Sequence, residues 1–254
     1  MAYEVVRVKP PAAGRNLAAA NRDFYDALWS RAYLQRPERF NTWPFIERLL
    51  PSCPERLEVG PGLRPRLPIA RTHFIDLSPP AIESLNARGG RATLAELGVL
   101  PFAEQALDLV CACDVVEHVA EDRQLLGEFS RVLKDGGTLI LSVPLHPELW
   151  NEFDDWVGHA RRYDPSKLQD LLRAKRFTVE QSAPYGMKPR CHRLIKFGMS
   201  WLQNRRREAM FWYNWLALPL TMWLQKDLQF VKGLAAPGDA DELLLICRRL
   251  PRSE

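Results

Sequence analysis

The sequence lacks the features that mark membrane-spanning, exported and disulfide-linked proteins. The apolar, uncharged stretch at residues 209–224 is shorter than the roughly 20 residues of a membrane-spanning helix, and Pro219 interrupts it. The N-terminal stretch MAYEVVRVKPP has no apolar core of the kind found in signal peptides. The five cysteines form no CxxC pair, which favours reduced, structural thiols over disulfides or a metal site. These absences predict a cytoplasmic protein.

Strong charge of one sign is also missing. The formal net charge of +4 over 254 residues is too small to argue for a nucleic-acid partner by itself. With 46% apolar and 26% charged residues, the composition is that of an ordinary globular protein. The length suffices for one large core, as in open α/β sheets.

Short apolar runs alternate with helical patterns after residue 55, which is typical of βα units in a parallel sheet. The predicted strands cover residues 56–60, 72–77, 91–94, 107–113 and 137–143. The predicted helices cover residues 79–88, 121–133 and 165–175. The sequence KDGG at residues 134–137 is interpreted as a helix stop before the fifth strand.

The chain divides into four predicted parts. Residues 1–54 form an N-terminal helical region, and residues 55–183 form the α/β core. Residues 184–241 form a basic, tryptophan-rich helical insertion, because the strand-like segments 177–183 and 242–249 on either side of it would otherwise pair as a hairpin. Residues 242–254 provide the last strand of the core.

A glycine turn follows the first predicted strand. Gly60 and Gly62 allow a ligand close to the backbone, and Glu58 precedes the turn by two residues. The dinucleotide fingerprint would need glycine at position 65, where this chain has Pro65. A ligand without phosphates needs only an open turn and acids that bind ribose hydroxyls. Asp76, at the end of the second strand, is such an acid.

Five segments in order resemble the motifs of class I S-adenosylmethionine-dependent methyltransferases. They are LEVGPG (57–62), FIDLS (74–78), AELGVLPF (95–102), LDLVCACDVVEHV (107–119) and EFSRVLKDGGTLILSVP (128–144). Arg64 stands where the first motif of the family has its third glycine. The resemblance implies a Rossmann-like sheet, mostly parallel with an antiparallel last strand, N-terminal helices, and a helical insertion before that strand.

The same resemblance implies S-adenosylmethionine as cofactor and S-adenosylhomocysteine as product. Asp76 would bind both ribose hydroxyls, Glu96 would face the adenine amine, and the backbone at Leu97 would flank the ring. The other predicted cofactor-binding residues are Glu58, Gly60, Gly62, Leu77 and Asp114.

Asp114, Glu117 and His118 follow the fourth strand, where ligands bind in open α/β sheets. Glu117 and His118 are predicted catalytic residues, because a histidine can accept a proton near neutral pH. Two alternatives stay open. The segment resembles the E-x-x-E-H of quinone-precursor O-methyltransferases, which can hold a divalent cation, or it is simply a helix start. We assign no metal ligand in the predicted site.

A second cluster, DDWVGHARRYD, covers residues 154–164. His159 is the best candidate for the base that takes the substrate proton, and Arg161, Arg162 and Tyr163 are candidates for binding the substrate. The alternative is structural: Arg162 and Tyr163 would pin the loop through bonds to Asp154 or Asp155.

The insertion combines basic and aromatic residues. Residues 188–207 contain seven lysines or arginines and no acid, and Trp201 and Trp212 are predicted to contact substrate. Such an element suits a lid over an apolar substrate, a membrane interface at the inner face, or a plain helical cap or dimer surface. Residues 188–233 are therefore the predicted contact for a membrane surface or a carrier protein.

These patterns predict a methyltransferase that acts on a hydroxyl of a hydrophobic, aromatic or lipid-like small molecule. One alternative is methylation of carbon or of a carboxylate on a small or carrier-tethered substrate. Another is a scaffold protein that keeps the fold without turnover. Nucleic acid is disfavoured, because the fourth strand lacks the asparagine or aspartate–proline–proline–aromatic motif of enzymes that methylate base amines.

Overall fold

The computed structural model describes residues 25, 28–186, 192–235 and 240–251, with the side chains of residues 192–195 excepted. The beginning of the predicted N-terminal helical region and the first basic residues of the insertion lie outside the described residues. So does Cys191; the described cysteines (Cys53, Cys111, Cys113 and Cys247) carry free thiols.

An eight-stranded sheet forms the centre of the described chain, in the order β3-β2-β1-β4-β5-β8-β6-β7. Its strands are β1 (Arg56–Val59), β2 (Thr72–Asp76), β3 (Arg91–Leu94), β4 (Leu107–Cys113), β5 (Leu133–Pro144), β6 (Phe177–Tyr185), β7 (Val231–Lys232) and β8 (Glu242–Arg249). β1 to β5 pair in parallel, and β8 is antiparallel to both β5 and β6. The predicted sheet is confirmed, including its reversed last strand.

The α-helices are α1 (Trp43–Leu49), α2 (Pro79–Asn86), α3 (Asp122–Val132), α4 (Glu152–Val157), α5 (Pro165–Ala174), α6 (His192–Asn204), α7 (Arg206–Trp212) and α8 (Leu218–Trp223). Asp164 caps α5, because its side chain accepts hydrogen bonds from the backbone N–H groups of Ser166 and Lys167. Ser78 stands at the N-cap of α2, but its side chain makes no capping bond.

Hydrophobic side chains pack against both faces of the sheet. Along β5, Leu139 and Leu141 join the core under α3 and α5, whereas Ile140 joins the core that contains Ile46 of α1. Phe230, near the end of the insertion, packs against this second core. Burial on both faces explains why the central strands are nearly continuous apolar runs.

The start of β5 differs from the prediction. β5 begins at Leu133 rather than at residue 137, directly after α3 ends. The register of the β4–β5 pair then shifts between Leu107 and Leu109, so the KDGG segment forms an irregular strand start.

The insertion lies between β6 and β8, which pair with each other as predicted. Its helices α6 to α8 include a π-helical turn at Tyr213–Ala217, and β7 is a short strand that was not predicted. The insertion packs on the N-terminal segment, which is the described part of residues 1–54. The Asn41 backbone N–H donates a hydrogen bond to Gln225 Oε1 at 2.7 Å. Within the described ranges, no helix is both long and apolar enough to span a bilayer.

Candidate active site

The glycine turn lies between β1 and the loop that leads to β2. Gly60 and Gly62 both have positive φ angles, +63° and +52°, which glycine adopts without strain. A Cβ on Gly60 would lie 2.7 Å from Val115 Cγ2, and one on Gly62 would lie 2.3 Å from the Trp29 ring. Both positions therefore require glycine for conformation and for space.

Asp76 lies directly beside this turn, at the end of β2. Its Oδ2 accepts a hydrogen bond from the Gly62 backbone N–H at 2.8 Å, and its Oδ1 accepts one from Ser78 N–H at 2.8 Å. The carboxylate is thereby held between the glycine turn and the start of α2. Leu77, the next residue, is half-buried. The glycine turn and the acid are therefore direct neighbours in the structure.

Glu58, which was predicted to bind the cofactor, has backbone partners in the loop that follows the turn. Its side chain is buried, and its two carboxylate oxygens accept hydrogen bonds from the backbone N–H groups of Arg66 and Leu67, each at 2.8 Å. Burial raises the pKa of this carboxyl to about 7, against the opposing effect of the two N–H donors. In the structure Glu58 holds the loop in place through these two bonds.

Glu96 and Leu97 follow β3, at the same edge of the sheet as Asp76. The register pairs Asp76 with Leu94, so the loop after β3 begins beside the Asp76 carboxylate. Glu96 is exposed and Leu97 is half-buried. The structure thus brings the three predicted cofactor segments, after β1, β2 and β3, to one edge, as expected for parallel neighbouring strands.

Two aromatic residues that the sequence interpretation did not select cover this edge. The rings of Tyr25 and Trp29 stack at 5.8 Å, and Tyr25 meets the His118 ring edge-on at 5.7 Å. Burial, together with the nearby Glu117 and Asp114, raises the pKa of the Tyr25 hydroxyl. The signal in the sequence was an aromatic pair at i, i+4 spacing.

Asp114 stands at the end of β4 in a left-handed conformation, with φ +55°. Its Oδ1 accepts a hydrogen bond from the Ser142 hydroxyl at 3.1 Å. Its backbone N–H donates to the oxygen of that hydroxyl at 3.0 Å. A left-handed non-glycine residue is strained, and such strain concentrates at functional sites.

The clusters after β4 and β5 meet in space. His159 is buried, and its Nδ1 lies 2.8 Å from Asp154 Oδ1, while its Nε2 lies 3.9 Å from Glu117 Oε1. The ring of His118 lies 4.6 Å from that of His159, and His118 Nδ1 lies 3.3 Å from the carbonyl oxygen of Gly158. The three predicted catalytic residues, Glu117, His118 and His159, therefore form one cluster.

The environment of Asp154 decides which nitrogen of His159 carries the proton. Burial works against ionisation of Asp154, but hydrogen bonds from His159 and Arg162 lower the pKa of its carboxyl to about 2. An ionised carboxylate can only accept hydrogen bonds, so Nδ1 of His159 is the protonated nitrogen and Nε2 is left as the basic one. The ligand atoms of the cluster lie within 4.8 Å of one another, a spacing from which a cation could be held.

Arg162 and Tyr163, predicted to bind substrate, have structural partners here. Arg162 is buried and donates two hydrogen bonds to Asp154, at 3.0 and 2.9 Å. This is the alternative in which Arg162 pins the loop. The Tyr163 hydroxyl donates to Asp122 at 3.0 Å, so the predicted partners Asp154 and Asp155 were wrong for Tyr163. Arg161 also pairs with Asp122 and is more exposed.

Trp201 and Trp212 lie on α6 and α7 of the insertion. Trp201 is half-buried against Phe197, with ring centroids 5.6 Å apart, and Trp212 is 47% exposed. Their contact with substrate stays a prediction. A cavity of about 530 Å³ lies nearby, between the N-terminal segment and the insertion, and Tyr33, Arg39 and Trp215 are among its lining residues.

Comparison with known proteins agrees with this arrangement. A family profile described as "Methyltransferase domain" matches residues 57–141. The chain is 31% identical over 102 residues to malonyl-[acyl-carrier protein] O-methyltransferase 1 of Coxiella burnetii, covering 39% of this chain and 36% of the relative. It is 32% identical over 118 residues to a malonyl-[acyl-carrier protein] O-methyltransferase of Hahella chejuensis, covering 42% of each. The matches thus span less than half the length of these curated relatives.

Solved structures show the same fold across nearly the whole chain. The [4+2]-cyclase SpnF superposes with a TM-score of 0.58 at 15% identity, covering 97% of this chain and 100% of that one. A SAM-dependent methyltransferase of Thermotoga maritima gives a TM-score of 0.54 at 16% identity, covering 89% and 94%. At such identities the likeness concerns the fold, which by itself does not fix a reaction.

The glycine turn and Asp76 lie within the segment that the profile matches. Residues 57–141 match the methyltransferase-domain family, and the chain has the same fold as the solved methyltransferase of Thermotoga maritima.

Proposed function

We propose that the protein transfers a methyl group from S-adenosylmethionine to a small acceptor. The observation that carries this proposal is the bond between Asp76 and the turn at Gly62, inside the segment that matches the methyltransferase family. The turn requires glycine at both positions, because a side chain at Gly60 or Gly62 would collide with Val115 or Trp29.

When bound, S-adenosylmethionine supplies a methyl group on a positively charged sulfur, with a neutral leaving group. Asp76 would bind the ribose hydroxyls, and Glu96 and Leu97 would contact the adenine. Tyr25 and Trp29 cover the turn and would keep water from the reacting atoms. The work of the protein is then mainly alignment of the acceptor with the methyl group.

His159 supports the removal of a proton from the acceptor. Its Nδ1–H is fixed on Asp154, which keeps Nε2 as the basic nitrogen on the side of Glu117. The nucleophile that needs such a base is a hydroxyl. Because His159 is only 4% exposed, we infer that the acceptor group enters an enclosure that is largely closed to water. These features favour a hydroxyl of a hydrophobic, aromatic or lipid-like molecule.

A second candidate acceptor is a carboxylate on a carrier-tethered chain. It is favoured by the names of the two curated relatives, both malonyl-[acyl-carrier protein] O-methyltransferases. A carboxylate is already ionised at neutral pH and needs no base. Under this alternative, the exposed arginines at residues 205–207 would face an acidic carrier protein.

The replacement His159→Asn separates the two acceptors. Asparagine can still donate a hydrogen bond to Asp154, but it has no basic nitrogen in place of Nε2. With a hydroxyl acceptor, we expect kcat to fall by about 10²- to 10⁴-fold. An unchanged kcat with an active acceptor would reject His159 as the base and favour the carboxylate.

Cofactor binding is the test of the proposed function as a whole. Native mass spectrometry of the purified protein should find co-purified S-adenosylhomocysteine, and titration calorimetry should show binding of S-adenosylmethionine. Absence of heat with either nucleoside would reject methyl transfer and favour the scaffold alternative.

The exposed side chains of the insertion favour a protein that acts at a lipid surface. Its exposed large apolar side chains include Phe197, Phe211, Trp212, Trp215, Leu216, Leu220, Trp223 and Leu224. Arg206 and Arg207 stand exposed at the beginning of α7, whose other end carries Phe211 and Trp212. Cations beside exposed tryptophans are typical of elements that lie in the interface of an anionic bilayer. Such a position would bring a lipid-like acceptor to the site.

A further inference from the structure

Arg64 lies two residues past Gly62, in the loop between β1 and β2. Its guanidinium carbon is 5.5 Å from the centre of the Trp29 ring and 5.2 Å from that of Tyr213. Trp29 belongs to the N-terminal segment and Tyr213 to the insertion, so an aromatic ring from each holds this cation beside the glycine turn.

This cation has no counter-ion among the described residues. No carboxylate of the described chain forms an ion pair with Arg64, and its Nε is buried without a hydrogen-bond partner. Burial lowers the pKa of the guanidinium to about 10, which still leaves it charged at neutral pH. A half-buried guanidinium that forms no ion pair keeps part of its desolvation cost, and an incoming anion would relieve that cost.

Arg66, on the same loop, shows the contrast. Its Nε donates to the Tyr185 hydroxyl at 3.1 Å, and its Nη1 donates to the carbonyl oxygen of Arg64 at 2.9 Å. Its guanidinium also lies 3.8 Å from the centre of the Phe40 ring. Arg66 is therefore accounted for as a structural residue, whereas Arg64 is not.

The charges around Arg64 complement an amino acid. Asp114 is close enough to raise the pKa of Arg64, and Asp114, Glu117, Asp76 and Arg64 all act on the Tyr25 hydroxyl. One cation thus stands beside several acids at the same edge of the sheet. The acids suit the ribose hydroxyls, the sulfonium and the ammonium of S-adenosylmethionine, and the cation suits its carboxylate.

We propose that Arg64 binds the α-carboxylate of the amino-acid portion of S-adenosylmethionine. This inference rests on the proposed function and assigns a task to the residue that replaces the third glycine of the turn. It also gives the N-terminal segment and the insertion a shared role, because Trp29 and Tyr213 orient the guanidinium.

The test compares two ligands that differ in the carboxylate alone, S-adenosylmethionine and decarboxylated S-adenosylmethionine, by titration calorimetry. The wild-type protein should bind the first at least about tenfold more tightly. Arg64→Gln should lose about 10- to 100-fold in affinity for S-adenosylmethionine. Its affinity for the decarboxylated ligand should stay within about twofold of the wild type.

Two further variants serve as controls. Arg64→Lys should retain part of the preference for the carboxylate, because it keeps the charge without the planar fork. Arg66→Gln, on the same loop, should change the two affinities by the same factor. The proposal would be overturned if the wild type bound both ligands with equal affinity. It would also be overturned if Arg64→Gln lost affinity for both ligands by the same factor.

The comparison of the two ligands on the wild-type protein still tests the proposal if Arg64→Gln fails to fold. Binding of neither ligand by the wild type is a distinct result, which would reject the proposed function itself and with it this assignment.

Discussion

At the scale of single residues, the candidate site depends on buried charges that are paired by short bonds. Asp154 is the clearest case, since it accepts hydrogen bonds from both His159 and Arg162. Removing its charge leaves the buried Arg162 guanidinium with only the half-exposed Asp241 carboxylate, 3.9 Å away, as a counter-ion. We expect Asp154→Asn to lower the free energy of unfolding at neutral pH by about 3–5 kcal/mol.

The pH dependence of that loss has a definite sign. The folded-state pKa of Asp154 is lowered to about 2 by its partners, so its contribution to stability is present above pH about 4. That contribution is lost as pH falls towards 2. Urea unfolding should show the gap between wild type and Asp154→Asn narrowing by about 1 kcal/mol from pH 6 to pH 3. A constant gap would contradict the paired, ionised Asp154.

Which residues the sequence could assign depends on how local their partners are. The bond from Arg162 to Asp154 spans eight residues and was among the predicted alternatives. The partner of Tyr163 is Asp122, 41 residues away, which no local pattern indicates. The backbone partners of Glu58 could not be predicted either, because the sequence does not show that the loop at Arg66 and Leu67 folds back onto this residue.

At the scale of elements, the turn after β1 provides a stringent test of packing. Gly62→Ala places a Cβ 2.3 Å from the Trp29 ring at a positive φ, so the ring must move. We expect a loss of stability of about 2–4 kcal/mol from strain and overpacking together, with weaker binding of S-adenosylhomocysteine.

Gly89→Ala is the matched control for that change. Gly89 also has a positive φ, +81°, but a Cβ there meets nothing within 4 Å. Only the conformational strain of about 1–2 kcal/mol should appear, without an effect on ligand binding. Equal destabilisation by the two substitutions would show that Trp29 does not pack on the turn.

The exposed apolar side chains of the insertion lead to a prediction for membranes. Leu224 is 59% exposed on the insertion, and Leu94 is 54% exposed on β3, so they form a matched pair. In flotation with vesicles that contain anionic lipid, Leu224→Ala should lower the bound fraction and Leu94→Ala should not.

High salt should also reduce flotation, because Arg205, Arg206 and Arg207 are exposed and their attraction to lipid headgroups is screened. Flotation that is unchanged by salt, or equal loss in the two leucine variants, would argue against an interfacial insertion. Binding to an acidic carrier protein without flotation would favour the carrier alternative.

At the scale of the whole molecule, the sheet was more predictable than its surroundings. β4 was predicted at residues 107–113 and is observed at Leu107–Cys113, because burial on both faces leaves a continuous apolar run. β7 has two exposed residues and no such pattern. β7 pairs with β6 because the end of the insertion returns along the edge of the sheet.

The cover over the sheet edge also depends on contacts between distant parts of the chain. Trp29 reaches Gly62 and Tyr213 reaches Arg64, so the N-terminal segment and the insertion meet at the glycine turn. Contacts at such separations follow from the complete fold. This is why the sequence predicted the glycine turn but not the aromatic residues, Trp29 and Tyr213, that pack on it.

The central claim is that Asp76 and the glycine turn hold the nucleoside of S-adenosylmethionine. A crystal structure of the protein with S-adenosylhomocysteine tests it most directly. Both ribose hydroxyls should lie within hydrogen-bond distance of the Asp76 carboxylate, with the adenine beside Leu97. A nucleoside bound elsewhere, or an Asp76 side chain directed away from the sugar, would contradict the account.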